Sequence, residues 1–194
     1  MNEPARGRET RARIQAVAVE LFTEQGYEKT SLREIAERLD VTKAALYYYF
    51  KSKEDIVASL VEDYFAQIDG LIAWGTSQPA TPQTRAEILR RYVAIMAEGH
   101  RAFRMLHQNQ AAVHSMAGPK GRRELFKERL TPLIELLVEP GATLADRLRP
   151  AMALGGMSFG WMFFADQVPD RGELCAALLD IACELADADR GDRP

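Results

Sequence analysis

Residues 30–55 read TSLREIAERLDVTKAALYYYFKSKED, and this stretch decides the fold that we predict. Ser31 and Glu34 have the S-x-x-E spacing of a capping box, which predicts that a helix begins here. Apolar residues then recur at the three- and four-residue spacing of one helix face. The residues that we expect on this inward face are Leu32, Ile35, Ala36 and Leu39.

A second short helix is predicted after a tight turn. Asp40 ends the first helix, and aspartate is one of the few non-glycine residues that tolerate a left-handed backbone. Thr42 is a suitable N-cap for a helix that reaches about Tyr49. We expect Val41 and Leu46 to pack this helix against its predecessor. Two short helices joined in this way predict a helix-turn-helix, whose second helix enters the major groove of DNA.

The outward face of the second helix carries groups that suit DNA. A threonine and a lysine stand at its N-terminus, where free N–H groups favour phosphate. Tyrosine hydroxyls can bind phosphate oxygens, while small alanines allow close approach to base edges or thymine methyl groups. The alternative is a helical hairpin whose tyrosines only shield a core. The residues of this face are Thr42, Lys43, Ala44, Ala45, Tyr47 and Tyr48.

The charge of the chain is unevenly distributed. A total of 25 basic and 28 acidic residues gives a net charge of −3, which by itself argues against a nucleic-acid binder. Between Val41 and Lys53, however, there are three basic residues and no acidic one. The overall value therefore averages a mildly basic N-terminal segment with an acidic remainder.

The rest of the chain is predicted to be helical as well. No strand-like alternation persists, so we predict an all-α fold. The first helix is expected over residues 10–25, after a flexible arm of residues 1–9. Breaks are expected at Gly99, Gly118-Pro119, Pro140-Gly141 and Pro169. The later helices are expected at about 52–74, 83–98, 100–115, 121–138, 143–165 and 171–187.

The region around the helix-turn-helix resembles the TetR/AcrR family of transcriptional regulators. The resemblance is carried by residues 30–55, where the family's L-Y-x-x-F-K-S-K core is intact, and by Leu21-Phe22 and Gly26-Tyr27 before them. It implies that Leu46 and Phe50 are core residues. The positions that it implies for DNA contacts are Thr30, Thr42, Lys43, Tyr47, Tyr48 and Lys53.

Three residues depart from the family pattern. Asp40 stands where glycine is usual in the turn, Ala44 replaces the glycine of a common Lys-Gly pair, and Tyr49 replaces a frequent histidine. These departures leave the base preference open. The resemblance implies a DNA-binding domain of residues 1–51 and a helical ligand-binding and dimerisation domain of residues 52–194.

A helix-turn-helix protein that binds palindromic DNA needs two DNA-binding domains one turn of the DNA helix apart, so we expect a homodimer. The resemblance implies that the last two long helices form the contact. Residues 151–164 are too apolar to face water, and Gly156-x-x-x-Gly160 allows close helix approach. The alternative is that both helices are buried within one subunit. The candidate interface residues are Leu154, Gly156, Gly160, Trp161, Phe164, Leu174, Leu178 and Ile181.

The middle helices are candidates for enclosing a small, largely apolar effector. Bulky aromatic and methionine side chains can line an adaptable apolar cavity, with His107 and Arg104 at a polar end of the ligand. Ordinary core packing is the alternative for each of them. The candidate ligand-binding residues are Trp74, Tyr92, Met96, Phe103, Arg104, His107, Phe126 and Trp161.

No catalytic residue, cofactor or metal site is predicted. Residues 156–160 match the G-x-S-x-G pattern of hydrolases, but the flanks are helical and no histidine follows His114. The three histidines stand seven residues apart, about 10.5 Å on a helix, which is too far to share one ion. The longest apolar run, residues 151–165, is shorter than a membrane span. We therefore expect a cytoplasmic protein with no membrane partner.

These observations predict a ligand-responsive homodimeric transcriptional repressor. It would bind a palindromic double-stranded DNA operator and be released by a small-molecule effector. One alternative keeps the fold and makes the protein an activator or a ligand-independent regulator. Another is a helical module that binds a small molecule or a protein and whose DNA binding is vestigial.

Overall fold

The computed structural model describes residues 3–108 and 121–187, with side chains described for residues 7–99, 124 and 127–186. Within these ranges there are eight helices and no strand, which confirms the predicted all-α fold. Each of these helices is too short or too polar to span a bilayer. They are α1 (Glu3–Gln25), α2 (Leu32–Arg38), α3 (Lys43–Tyr49), α4 (Lys53–Thr76), α5 (Pro82–Gln108), α6 (Gly121–Leu136), α7 (Leu144–Phe164) and α8 (Arg171–Asp187).

The first helix begins earlier than predicted. α1 starts at Glu3, so the prediction of a flexible arm over residues 1–9 is wrong from Glu3 onward. Pro4 fits the first turn because its missing N–H is not needed there. The alanine and the arginines that follow are good helix formers, and one glycine, Gly7, costs a helix only about 1 kcal/mol.

The predicted break at Gly99 is also wrong. α5 runs without interruption from Pro82 to Gln108, because a single glycine inside a strongly helical sequence does not end a helix. Its start follows the usual rules: proline is favoured at the first helical position, and the Thr81 Oγ1 accepts a hydrogen bond from the Thr84 N–H at 3.2 Å. The predicted residues 109–115 lie outside the described residues.

The described residues form two compact units, and the division falls inside α4, after Asp63. We call the first unit the head; it contains α1–α3, α4 up to Asp63, residues 101–108 and residues 121–122. We call the second unit the body; it contains the described residues of 64–100 and 123–187. The predicted domain boundary at residues 51 and 52 stays a prediction.

The head has one apolar core. The inward face predicted for α2 contributes to it, together with α1 and the start of α4. Leu46 and Phe50 are buried in it, so their predicted core positions are confirmed. The main members are Ile14, Ala18, Leu21, Phe22, Ile35, Ala36, Leu46, Phe50, Ile56 and Val57.

A polar cluster fixes the first turns of α4 to α1 within the head. The buried Gln15 donates from Nε2 to Ser59 Oγ at 2.8 Å and to Asp63 Oδ2 at 2.6 Å. Arg11 lies 3.4 Å from the same carboxylate, and its guanidinium lies 5.4 Å from the Phe50 ring centroid. Because buried polar groups are costly without partners, these bonds define the register of α4 against α1.

In the body, α7 packs closely against α8 at a glycine. A Cβ atom built on Gly160 would lie deep inside the van der Waals surface of Leu178 Cδ2. Any larger residue at this position would require the Leu178 side chain to move, so glycine permits the close approach of the two helices. The Gly160 position therefore serves packing inside one chain.

The opposite side of α7 carries exposed apolar residues. They recur at spacings of four and seven residues, which places them along one face of the helix. Gly155 and Gly156 lie between Met152 and Phe159, with open space where their side chains would be. We call this face the outer stripe; it consists of Leu144, Leu148, Met152, Phe159 and Phe163.

Candidate nucleic-acid interface

The helix-turn-helix begins with the predicted capping box. The Ser31 hydroxyl accepts a hydrogen bond from the Glu34 N–H at 3.2 Å, and Glu34 Oε2 accepts one from the Ser31 N–H at 2.7 Å. The hydrogen bond from the Ser31 side chain is also the main reason why the pKa of Glu34 lies below its ordinary value. The start of α2 is therefore defined by local hydrogen bonds.

The turn after α2 uses a left-handed aspartate, as predicted. Asp40 has φ +55°, the only positive φ at a non-glycine residue in the described part of the chain. Its N–H donates to Glu37 O at 3.2 Å, and the Val41 N–H donates to Ala36 O at 3.0 Å. This pair of bonds is a Schellman motif, which ends the helix and turns the chain. Val41 itself is 37% exposed, so its predicted inward position is wrong.

Replacing Asp40 tests the turn. Asp40→Gly is expected to leave the free energy of unfolding within about 1 kcal/mol of the parent, because lost backbone strain offsets the greater freedom of the unfolded chain. Asp40→Val is expected to destabilise the protein by about 1–2 kcal/mol, because a β-branched residue is strained at this φ. Chemical denaturation measures both variants, and equal stability of the two would contradict this account of the turn.

α3 presents one exposed surface of the head. Thr42 caps its N-terminus by accepting from the Ala45 N–H at 3.1 Å, and Leu46 anchors the opposite side in the core. The ammonium of Lys43 lies 5.4 Å from the ring centroid of Tyr47, which is half-buried. The structure therefore brings together most of the predicted DNA-facing residues. Those exposed are Thr42, Lys43, Ala44, Ala45 and Tyr48.

Two aromatic rings define the end of this surface. Tyr48 is 79% exposed, which is unusual for so large a side chain. Its ring meets Tyr49 edge-on, with centroids 5.2 Å apart. Beside it, Lys51 donates from Nζ to the Tyr47 carbonyl at 2.6 Å. The predicted site did not include Lys51 or Tyr49, although the run of tyrosines before a lysine in the sequence was a usable signal.

Thr30 is not part of the exposed surface, which corrects its predicted role in DNA contact. Its side chain is 2% exposed, and its hydroxyl donates to Gly26 O at 2.9 Å. The Nε2 of Gln25 donates to the same hydroxyl at 3.3 Å. Thr30 therefore stabilises the connection between α1 and α2.

Lys53 is half-buried and makes hydrogen bonds within the head, while its predicted DNA contact stays a prediction. Its Nζ donates to Tyr27 O at 2.8 Å and lies 4.4 Å from the Tyr27 ring centroid. The Tyr27 hydroxyl donates in turn to Glu54 Oε1 at 2.7 Å. Burial, with this bond, raises the pKa of Tyr27, and the bond lowers the pKa of Glu54. Sequence reasoning missed this cluster, which joins the start of α4 to the connection between α1 and α2.

The predicted ligand-binding residues of the body fall into three groups. Tyr92, Met96 and Trp161 are buried. Ser158 links the first two, because its hydroxyl lies 2.9 Å from the Tyr92 hydroxyl and 3.7 Å from Met96 Sδ. Trp74 is half-buried, with the Arg91 guanidinium 3.8 Å from its ring centroid. The side chains outside the described residues are Phe103, Arg104, His107 and Phe126.

The predicted dimer residues divide between the interior and the surface. Leu154, Trp161 and Leu174 are buried within the chain, and Leu178 contacts the Gly160 backbone. Leu154, Trp161 and Leu174 are therefore core residues of one chain, which corrects their assignment to a surface between subunits, whereas the half-buried Leu178 stays a predicted interface residue. The predicted residues that are exposed are Gly156, Phe164 and Ile181.

Comparison with known sequences shows that the head is similar to bacterial regulatory proteins. A family model described as bacterial regulatory proteins of the tetR family matches residues 14–60. The probable HTH-type transcriptional regulator YttP of Bacillus subtilis (strain 168) is 32% identical over 91 residues, which are 47% of this chain and 44% of YttP. The biofilm operon icaADBC HTH-type negative transcriptional regulator IcaR of Staphylococcus aureus (strain Newman) is 40% identical over 55 residues.

The IcaR match covers 28% of this chain and 30% of IcaR. The chain therefore spans less than half the length of these curated relatives. Among solved structures, the fatty acid degradation regulator FadR from Bacillus halodurans superposes with a TM-score of 0.69 at 20% identity. That superposition covers 93% of this chain and 96% of FadR, so the likeness of fold extends beyond the head.

Proposed function

Because this chain belongs to the TetR/AcrR family of transcriptional regulators, we propose that it is a homodimeric repressor that binds a palindromic operator through α3. A small effector bound by the body would release it from DNA. The observation that carries the proposal is the exposed surface of α3, where a cation, hydroxyl groups and small side chains lie together. Leu46, on the opposite side of the helix, is buried in the core.

The exposed surface of α3 carries side chains that can bind the phosphates and bases of a DNA duplex. Lys43 is exposed beside Tyr47, and the segment from Val41 to Lys53 has no acidic residue. Cations and hydroxyls fix a protein on the phosphates, whereas groups that reach base edges provide specificity. Tyr48 and the two alanines of α3 are the exposed side chains next to Lys43 that can approach bases.

The double variant Lys43→Ala/Tyr47→Phe tests this assignment. We expect operator affinity to fall at least about tenfold, because a charged and a neutral hydrogen bond are lost. The slope of log Kd against log salt is also expected to fall by about 1. Fluorescence anisotropy with a duplex enriched from a random-sequence pool measures both quantities.

Lys127→Ala is the matched control, because Lys127 is an exposed lysine of the body. It is expected to leave affinity and salt slope unchanged. Equal affinities of the parent and the Lys43→Ala/Tyr47→Phe variant would mean that α3 is not the recognition helix. Absence of salt-sensitive binding to any duplex would contradict the proposed function itself.

The outer stripe of α7 supports the proposed dimer. Monomeric proteins rarely expose a contiguous row of large apolar side chains, and a second copy of α7 is a self-complementary cover for it. Ile181 of α8 is exposed as well. The interface proposed here is therefore the outer stripe rather than the buried residues of the same helices.

The proposal of repression rests on the family and on one relative, the negative transcriptional regulator IcaR. An effector that binds the DNA-free conformation more tightly would shift the population away from DNA. The test is to compare transcript levels of the genes beside the operator in a deletion strain and in its parent. A rise on deletion is expected, whereas a fall would identify an activator.

A further inference from the structure

Lys43 is the one side chain of α3 whose type commonly reads base edges through charged hydrogen bonds. The helix consists of KAALYYY, so apart from Lys43 it holds no arginine, asparagine, glutamine, aspartate or glutamate. Those residues make the specific hydrogen bonds to guanine, adenine and cytosine edges in the major groove. Two arginines of α2 are already paired with carboxylates, Arg33 with Glu37 at 2.7 Å and Arg38 with Glu24 at 3.2 Å.

The exposed face of α3 is instead largely apolar. Ala44 and Ala45 are exposed, and Tyr48 stands four and three residues after them, one helical turn along the same face. Two methyl groups and a 79%-exposed aromatic ring therefore form one patch. Lys43 is held toward the neighbouring Tyr47 ring, 5.4 Å from its centroid.

The chemistry of this patch matches one feature of the major groove. Thymine is the base whose C5-methyl group projects into that groove, and alanine and aromatic side chains make apolar contacts with it. We infer that Ala44, Ala45 and Tyr48 determine specificity by packing against thymine methyl groups of the operator. This inference rests on the proposed function, because it requires α3 to lie in the major groove.

Removing the methyl group from the DNA tests the inference without altering the protein. A duplex is enriched from a random-sequence pool, and each thymine is then replaced singly by deoxyuridine, which lacks only the methyl group. At one or two positions of each half-site, affinity is expected to fall about fourfold, the effect of losing one buried methyl group. Replacements elsewhere are expected to leave it unchanged.

Removing the methyl group from the protein identifies the contact. Ala44→Gly and Ala45→Gly are each combined with each deoxyuridine duplex in a double-mutant cycle. At the thymine that an alanine contacts, the glycine variant is expected to lose the fourfold preference for thymine over uracil. Ala16→Gly is the matched control, because Ala16 is exposed in α1 and glycine carries the same helix penalty there.

Each outcome is decisive. Position-specific loss with deoxyuridine that disappears in a glycine variant supports the inference. Equal affinity for thymine and uracil duplexes overturns it and leaves the proposed function intact. A loss that persists unchanged in both glycine variants and in Tyr48→Ala also overturns it, because the methyl group is then read by a residue outside this patch. Failure to bind any enriched thymine duplex overturns the proposed function, and the inference with it.

Discussion

Phe159→Asp is expected to convert the dimer to monomers and to remove high-affinity binding to palindromic DNA. Phe159 is 56% exposed at the middle of the outer stripe, with its ring centroid 4.2 Å from that of Phe163. In the proposed dimer this pair is buried, and an unpaired carboxylate there costs at least about 3 kcal/mol. The dissociation constant of the dimer would therefore rise more than about 100-fold.

Sedimentation equilibrium measures the dimer constant, and anisotropy with the palindromic duplex measures DNA binding. A duplex that contains one half-site should bind the variant and the parent equally, because the head is unchanged. Ala94→Asp is the matched control, since Ala94 is exposed in α5 and lies outside the outer stripe. A Phe159→Asp protein that remains a tight dimer would rule out the outer stripe as the interface.

The helix-turn-helix was predictable because its determinants are local. The capping box of Ser31 and Glu34 and the N-cap at Thr42 are short-range hydrogen bonds that the spacing of residue types reveals directly. The tolerance of Asp40 for positive φ is a property of the residue itself. The bounds of α2 and α3 therefore followed from the sequence almost without error.

The faces of α7 were not predictable in the same way. Residues 151–165 are apolar on nearly all sides, so periodicity does not distinguish the face that packs inside the chain from the face that remains outside. Leu154 and Trp161 point inward, whereas Met152 and Phe159 are exposed. The positions of α5 and α8 separate these two sets, and those positions depend on tertiary packing.

The roles of Thr30 and Lys53 were hidden for a related reason. Both are polar residues next to short helices, where a DNA contact and an internal hydrogen bond have the same sequence pattern. Thr30 is satisfied by the Gly26 carbonyl, and Lys53 by the Tyr27 carbonyl. These partners are backbone atoms, which every residue type offers, so no sequence pattern marks them.

Gly160→Val is expected to destabilise the body by about 3 kcal/mol, because the added side chain would overlap Leu178 across the α7–α8 contact. For a chain of this size, that loss lowers Tm by about 6–12 °C. The matched control is Gly70→Ala, since Gly70 lies inside α4 with open space around its Cβ position. That change is expected to stabilise the helix by about 1 kcal/mol.

A second-site change separates overlap from helix propensity. Leu178→Ala removes the atoms that the new side chain would meet, so Gly160→Val/Leu178→Ala should be more stable than the sum of the single effects predicts, by about 1–2 kcal/mol. Differential scanning calorimetry of the four proteins at one concentration measures this coupling. Strict additivity would mean that α7 and α8 do not meet at Gly160. With coupling present, Gly160 serves packing within the subunit, and the outer stripe is left as the apolar face of α7 available to a second subunit.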